Sequence, residues 1–197
     1  MKGFVAVAVI LLTFGVQAQD WGKFSEPLNV ELLGEKNLVM LLVDFTYQEP
    51  GPGGYLWVAP KGTISDAASI PRIAWSIIGA PLEGQYRKAA IIHDVGCKTR
   101  ARDWESTHRA FYTGMRAAGV SEKKAKIMYA AVYHFGPRWI RPKDIPGIIL
   151  PPPSSDFPVL GAEAVLIIQP PVSQAKFEQM KSEIEKNNLS LSEIENF

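Results

Sequence analysis

The fold of this chain is decided by the stretch Ala89–Cys97, which reads AAIIHDVGC and lies inside a longer helical pattern. From Glu83 to Cys97 the apolar residues fall on one face, which predicts an amphipathic helix. A histidine and an aspartate, His93 and Asp94, stand side by side at the end of the apolar run. Because imidazole and carboxylate groups can bind a metal or transfer a proton near neutral pH, the stretch predicts a site as well as a helix.

Two further helices are predicted after this stretch. Asp103–Ala118 carries apolar and aromatic residues at spacings of three and four, and Ser121–Phe135 repeats the pattern until a Gly-Pro pair ends it. The loop Thr99–Arg102 is short enough for the first two helices to lie antiparallel. We therefore expect His108, in the second helix, to lie close to His93.

A hairpin is predicted before the helices. Residues 36–47 are rich in branched and aromatic residues, residues 49–54 form a Gly- and Pro-rich turn, and Tyr55–Pro60 predicts the partner strand. The next loop contains Asp66. Ser69 then has the pattern of a helix N-cap, with a proline just inside the helix.

Beyond the helices the chain becomes rich in proline. Residues 151–171 are predicted to be extended, with an apolar run at Ala164–Ile168 that could add a strand, and 173–190 predicts a polar helix. The whole pattern predicts an α+β fold: a small antiparallel hairpin sheet, a core of three to four helices, the proline-rich segment and a C-terminal helix. We expect an α+β domain over 19–150 and a charged helical tail over 172–197.

The first 18 residues have the pattern of a signal peptide. Lys2 precedes an apolar run, Phe4–Val16, and small residues follow at the expected cleavage positions. That run is shorter than the roughly 20 residues of a membrane-spanning helix. We therefore expect cleavage near Gln19, export to the periplasm or beyond, and no stable membrane span afterwards, with an uncleaved anchor as the alternative.

The composition is that of an ordinary globular domain. The chain has 197 residues, of which 47% are hydrophobic, and a formal net charge of +1. A charge this close to neutral argues against a dedicated nucleic-acid binder. The single cysteine, Cys97, rules out an internal disulfide and predicts either a small buried apolar residue or a reactive thiol.

Four side chains are the candidates for a functional site: Asp66, His93, Asp94 and His108. Each has a structural alternative, because a buried histidine is often held by hydrogen bonds and an aspartate in a turn often binds backbone amides. The clustering of all four in the predicted fold favours function. Arg72 could bind an anion or cover apolar surface with its stem, and His134 is expected to be structural.

The string Trp57–Arg72, WVAPKGTISDAASIPR, followed by AAIIHD over residues 89–94, resembles the signature of the DUF1353 family. These bacterial and phage proteins are named only as a domain of unknown function, and the resemblance covers residues 55–139. Thr63 replaces a usual aromatic residue, and His108 stands where the family more often has an aspartate. Because both residue types bind zinc, His108 could keep a ligand role. The resemblance implies a fold unit and a site, without a reaction.

A metal-dependent hydrolase acting outside the cytoplasm is the function that these residues favour. Zn²⁺ would take three ligands from Asp66, His93, Asp94 and His108 and keep one position open. A remaining carboxylate, Asp94 or Asp66, would act as the general base. Export and the family resemblance make cell-wall peptide or glycan the expected substrate, and no nucleic-acid partner is expected.

Other functions need features that the sequence lacks or does not decide. An HD-type phosphohydrolase would need a histidine upstream of His93, where there is none. A phospholipase-like His-Asp helix normally depends on several disulfides. A thiol nucleophile, Cys97 with His93, would need an exposed sulfur of lowered pKa. The main alternative is an exported, non-catalytic binding or assembly module whose His-Asp pair is a structural polar network.

Overall fold

The computed structural model describes residues 19–34, 38–66, 70–74, 84–140 and 166–197. Three of the sequence predictions fall outside these residues: the signal peptide, the Ser69 N-cap, and the proline-rich segment as far as residue 165. In the part of the chain that is described, no helix combines the length and apolar character needed to cross a membrane.

The N-terminal half forms two small antiparallel sheets, each of three strands. The first has the order β1-β4-β5 and the second the order β2-β3-β6. The strands are, in chain order, β1 Lys23–Phe24, β2 Val30–Leu33, β3 Leu38–Leu41, β4 Phe45–Gln48, β5 Leu56–Ala59 and β6 Ile64–Ser65. Side chains alternate between core and solvent along β4 and β5, as a half-buried sheet requires.

The two sheets are the two halves of one bent hairpin. The strand predicted over residues 36–47 is divided into β3 and β4, which pair with β6 and β5 respectively. The bend is held where the carboxylate of Asp44 accepts the Lys61 N–H at 2.8 Å and the Gly62 N–H donates to the Leu41 carbonyl at 2.8 Å. Gly62 has a φ of 81°, a conformation that favours glycine. The glycine therefore favours the turn between β5 and β6.

The C-terminal half is helical, and the predicted α+β class is confirmed. The helices are α1 Arg87–Thr99, α2 Trp104–Ala117, α3 Glu122–Phe135, α4 Gln174–Asn187 and α5 Leu191–Glu195. A short strand pair, β7 Arg138–Ile140 with β8 Leu166–Ile168, follows α3, and β8 is the strand expected near residues 164–168. Asp103 caps α2 by accepting the Ser106 N–H at 2.6 Å.

Helix α1 is the centre of the fold. All nine residues of Ala89–Cys97 are buried, between the hairpin on one side and α2 on the other. Gly96 allows this close packing, because a Cβ at that position would lie 2.7 Å from Thr107 Cγ2 and 3.1 Å from Trp57 Cζ3. Because this stretch is buried on both sides, α1 contacts both the hairpin and α2.

The C-terminal helices pack onto α3 and close the core. Phe177, Met180 and Ile184 of α4 and Ile194 of α5 are all buried. Glu195 joins the layers, because its carboxylate accepts hydrogen bonds from the Arg109 guanidinium and, at 2.5 Å, from the Tyr129 hydroxyl. The predicted polar helix at 173–190 is thus a helix with one buried face.

Candidate metal centre

Two helices bring the candidate ligands together. His93 and Cys97 are four residues apart on α1, so their side chains lie on one face of the helix. The short connection from Arg100 to Asp103 reverses the chain, and α2 then places His108 against that face. The antiparallel pairing expected from the loop length is therefore present.

The three side chains form a compact, buried cluster. Nε2 of His93 lies 2.8 Å from Nδ1 of His108, and Sγ of Cys97 lies 3.6 Å from the same His93 nitrogen. One ligand atom from each residue can be chosen so that all three lie within 4.8 Å of one another. His93 and His108 are 1% and 0% exposed, so the cluster is shielded from bulk water.

Burial keeps both imidazoles neutral at physiological pH. It lowers the pKa of His93 to about 4, with the nearby Asp94 carboxylate acting in the opposite direction. Burial and the neighbouring His93 lower the pKa of His108 well below its ordinary value. A neutral imidazole has a free lone pair, which is the form that binds a metal ion.

The His93–His108 pair does not use all of its ring nitrogens in hydrogen bonds. One ring donates to the other, which uses a single donor and a single acceptor. Nε2 of His108 is buried and has no hydrogen-bond partner among the described residues. The Pro137 main chain lies close enough to favour protonation of His108, but no hydrogen bond of good geometry joins it to Nε2. Such an atom normally has a partner when it is buried, and the Pro137 main chain is the neighbour placed to act on this ring.

The donor set fits a borderline transition metal such as Zn²⁺. A tetrahedral zinc site separates a nitrogen and a sulfur ligand by about 3.5 Å and two nitrogens by about 3.4 Å. The observed 3.6 Å between Cys97 Sγ and His93 Nε2 agrees with the first value, whereas the 2.8 Å between His93 Nε2 and His108 Nδ1 would have to open by about 0.6 Å. Two imidazoles and a thiolate do not suit Mg²⁺ or Ca²⁺, which take oxygen ligands.

A cavity of about 530 Å³ adjoins the cluster. Cys97 belongs to both, since its side chain contacts His93 and lines the cavity. The wall also carries two carboxylates and two cations, which are Asp66, Asp94, Lys98 and Arg100. The Lys98 ammonium donates to Asp94 Oδ2 at 2.8 Å and to the Ile64 carbonyl at 3.0 Å.

The structure divides the four predicted site residues into two pairs. His93 and His108 are in direct contact, and both belong to the metal-competent cluster. Asp94 and Asp66 belong to the cavity wall, and the cluster includes neither carboxylate. Asp94 follows His93 by one residue, about 100° further round the helix, which places it on a different face.

From the sequence, Cys97 is predicted only as a buried apolar residue or a thiol nucleophile. The signal for a ligand role was the spacing of four residues between a histidine and a cysteine on one helix. Nucleophilic activation by His93 has poor support, because a base with a pKa of about 4 removes a thiol proton weakly at neutral pH.

Comparisons with known proteins identify a family and leave the reaction open. The family described as protein of unknown function (DUF1353) matches residues 39–132, which confirms the resemblance. The chain is 45% identical over 138 residues to the uncharacterized protein y4jT of Sinorhizobium fredii, covering 67% of this chain and 40% of that protein. It is 42% identical over 110 residues to the uncharacterized protein y4iH of the same organism, covering 56% and 45%.

The chain spans less than half the length of these curated relatives. No solved structure matches it.

Proposed function

We propose that this chain, whose residues 39–132 belong to the DUF1353 family, is a metal-dependent hydrolase in which His93, Cys97 and His108 hold Zn²⁺. One observation carries the proposal: three buried side chains that could hold a metal ion lie together, and one of them, Cys97, lines a cavity that also presents two carboxylates. A metal next to a cavity with a potential base is the arrangement that hydrolysis requires.

The number of ligands supports a catalytic rather than a structural ion. Structural zinc sites are closed by four protein ligands, whereas catalytic sites use three and keep one position open. The cluster among the described residues has three members, and Cys97 connects it to the cavity. The open position would therefore be reached from the cavity side.

Each residue then has a distinct task. A bound zinc ion would supply Lewis acidity, which polarises a substrate oxygen and lowers the pKa of water to about 7. Asp94, held in position by Lys98, would accept the proton of the attacking water, and Asp66 on the same wall is the second candidate base. The wall of α1 and α2 behind the cluster would exclude bulk water from the reacting centre.

The proposal also includes the cellular location of the protein and the class of its substrate. The signal-peptide pattern of residues 1–18 supports export to the periplasm or beyond. An exported hydrolase of this kind would meet cell-wall peptide or glycan, and a wall polymer or an associated protein is the proposed partner.

The metal content of purified full-length protein tests the proposal. Protein prepared with adequate zinc should contain about one ion per chain, whereas His93→Ala, Cys97→Ser and His108→Ala should each lose most of it. His134→Gln is the matched control, because it alters a buried histidine outside the cluster and should keep its zinc. Wild-type protein without stoichiometric metal would overturn the proposal.

A non-catalytic exported module is the second candidate. The observation that favours it is the direct hydrogen bond between two almost fully buried rings, which is also what a structural polar network would show. In that case His93→Ala would lower the melting temperature of a protein that contains no metal. Zinc content and thermal stability measured on the same variant therefore separate the two functions.

A further inference from the structure

Arg100 has an unusual backbone conformation at the edge of the cavity. It follows α1 directly, with φ of 52° and ψ of 29°, and its N–H donates to the Gly96 carbonyl at 2.9 Å. This left-handed conformation is a common end of a helix, but glycine or asparagine normally occupies it because the Cβ of other residues crowds the backbone there. An arginine at this position carries a conformational cost that glycine would avoid.

The Arg100 side chain is also without a partner among the described residues. It is half-buried and lines the cavity, yet it forms no hydrogen bond, ion pair or ring contact within that part of the chain. Nearby cations differ: Lys98 is held by Asp94, the Arg102 guanidinium stacks over the Tyr55 ring, and Arg109 pairs with Glu195. A strained backbone and an unused guanidinium thus occur at one residue on the cavity wall.

We infer that Arg100 binds an anionic oxygen group, a carboxylate or a phosphate, on the ligand that enters this cavity. Guanidinium groups bind such oxyanions through paired, charge-assisted hydrogen bonds. Backbone strain at an isolated residue is a recognised sign of function when the side chain is placed for a ligand. That this ligand is the substrate rests on the proposed hydrolase function.

The charges of the cavity define the ligand further. Lys98 and Asp94 neutralise each other, which leaves Arg100 as the cation available to a ligand in the described wall. The described wall therefore offers no second available cation for a second negative charge on the ligand. The cavity therefore favours a ligand with one anionic end, such as a peptide with a terminal carboxylate or a phosphate monoester, over a polyanion.

Anion binding by the full-length, metal-free protein tests the inference. Acetate and inorganic phosphate are titrated separately, and saturable binding is followed by calorimetry and by the rise in melting temperature. Wild-type protein should bind at least one of the two, and the stronger of the two distinguishes a carboxylate from a phosphate group. Arg100→Gln should weaken that binding by about tenfold or more.

Two variants and a control keep the result interpretable. Arg100→Gly should lose anion binding while melting at or above the wild-type temperature without anion, because it removes the strain. Arg100→Lys keeps the positive charge but lacks the planar, paired N–H donors of a guanidinium. It should bind the anion with intermediate affinity. Arg87→Gln, at the other end of α1 and exposed, should bind like wild type.

The inference is overturned if wild-type protein binds neither anion saturably, or if Arg100→Gln binds as well as wild type. Zinc content, measured on the same protein before the metal is removed, separates this failure from that of the hydrolase. Protein that contains zinc but binds no anion keeps the hydrolase and loses the anionic ligand. Arg100-dependent anion binding by protein that never takes up zinc removes the hydrolase and supports the anion site.

Discussion

Two groups of buried histidines in this molecule differ in how completely their nitrogens are used. His134, at the end of α3, is 9% exposed, and its Nε2 lies 2.6 Å from the Ile194 carbonyl. His93 and His108 contact each other, and Nε2 of His108 has no partner among the described residues. The first arrangement fastens the C-terminal helix to the core, whereas the second places two imidazoles beside a thiol that lines a cavity.

The difference shows that burial alone does not identify a functional histidine. Burial lowers the pKa of all three rings, so each is neutral in the folded protein. What separates them is the partner: a backbone carbonyl satisfies His134, whereas a second imidazole and a thiol surround His93. The pair of imidazoles beside the thiol is therefore the better candidate for a ligand role.

The largest expected effect is on zinc affinity. Replacing one ligand of a three-ligand site, as in His108→Ala, should weaken zinc binding by more than about 100-fold. His134→Ala should leave the affinity within a factor of about three of wild type, because the ring lies outside the cluster. Competition with a chromogenic chelator measures both affinities. Equal losses in the two variants would remove the distinction between the histidine groups.

Acidification should destabilise the metal-free protein through both His93 and His108, because burial lowers the pKa of each ring. The pKa of His93 is 6.5 in the unfolded chain and about 4 in the folded protein, so the unfolded state binds the proton more readily. The stabilisation is complete above pH 6.5 and is lost as the pH falls towards 4, by about 3 kcal/mol. Burial also lowers the pKa of His134, which adds a loss of the same sign.

Urea denaturation between pH 7.5 and pH 4.5 checks this dependence. His93→Gln should flatten the curve of unfolding free energy against pH more than His134→Gln does. A curve that His93→Gln leaves unchanged would mean that the folded ring titrates normally.

The next effect is the loss of stability when His134, the histidine bonded to a backbone carbonyl, is replaced. His134→Ala removes the group bound to the Ile194 carbonyl and leaves a small cavity, which should lower the unfolding free energy by about 2 kcal/mol. His134→Gln retains an amide donor and should lose less. Limited proteolysis of α5 offers a local readout, and unchanged cleavage in His134→Ala would contradict a fastening role.

The smallest expected effect tests the helix contact behind the cluster. Gly96→Ala places a methyl group against Thr107 and Trp57 and should reduce stability by about 1–2 kcal/mol, with weaker zinc binding because α1 and α2 move apart. Gly114→Ala is a milder change at the same helix pair, since its methyl group would lie 3.2 Å from Ala89 Cβ, and it should have a smaller effect. Wild-type zinc affinity in Gly96→Ala would show that the spacing of the helices does not position the ligands.

The strongly periodic parts of the sequence predicted their structure well. The three central helices follow from apolar spacing, and the short loop between the first two correctly indicated the contact between His93 and His108. The hairpin was also indicated, but not its bend at Asp44, which depends on a hydrogen bond to the distant Lys61. A strand pattern reports burial along one chain and carries no information on such a contact.

The remaining features depend on geometry that residue types do not encode. Asp94 was grouped with His93 because the two are adjacent, whereas the helix turns it towards the cavity wall. The left-handed conformation of Arg100 was not predicted, because this conformation is normally expected at glycine or asparagine. The buried face of α4 was masked by its many charged residues, although Phe177, Met180 and Ile184 follow a helical spacing.

The contacts of α5 have a consequence for the order of events during synthesis on the ribosome. Arg109 and His134 are 86 and 60 residues upstream of the groups that satisfy them. Until residue 195 has left the exit tunnel, a buried imidazole and a guanidinium in the helical core are without their partners. Nascent chains stalled before that residue should accordingly be cleaved by protease within α3, and released chains should be protected. Completion of the core thus waits for α5, long after the central helix α1 has been made.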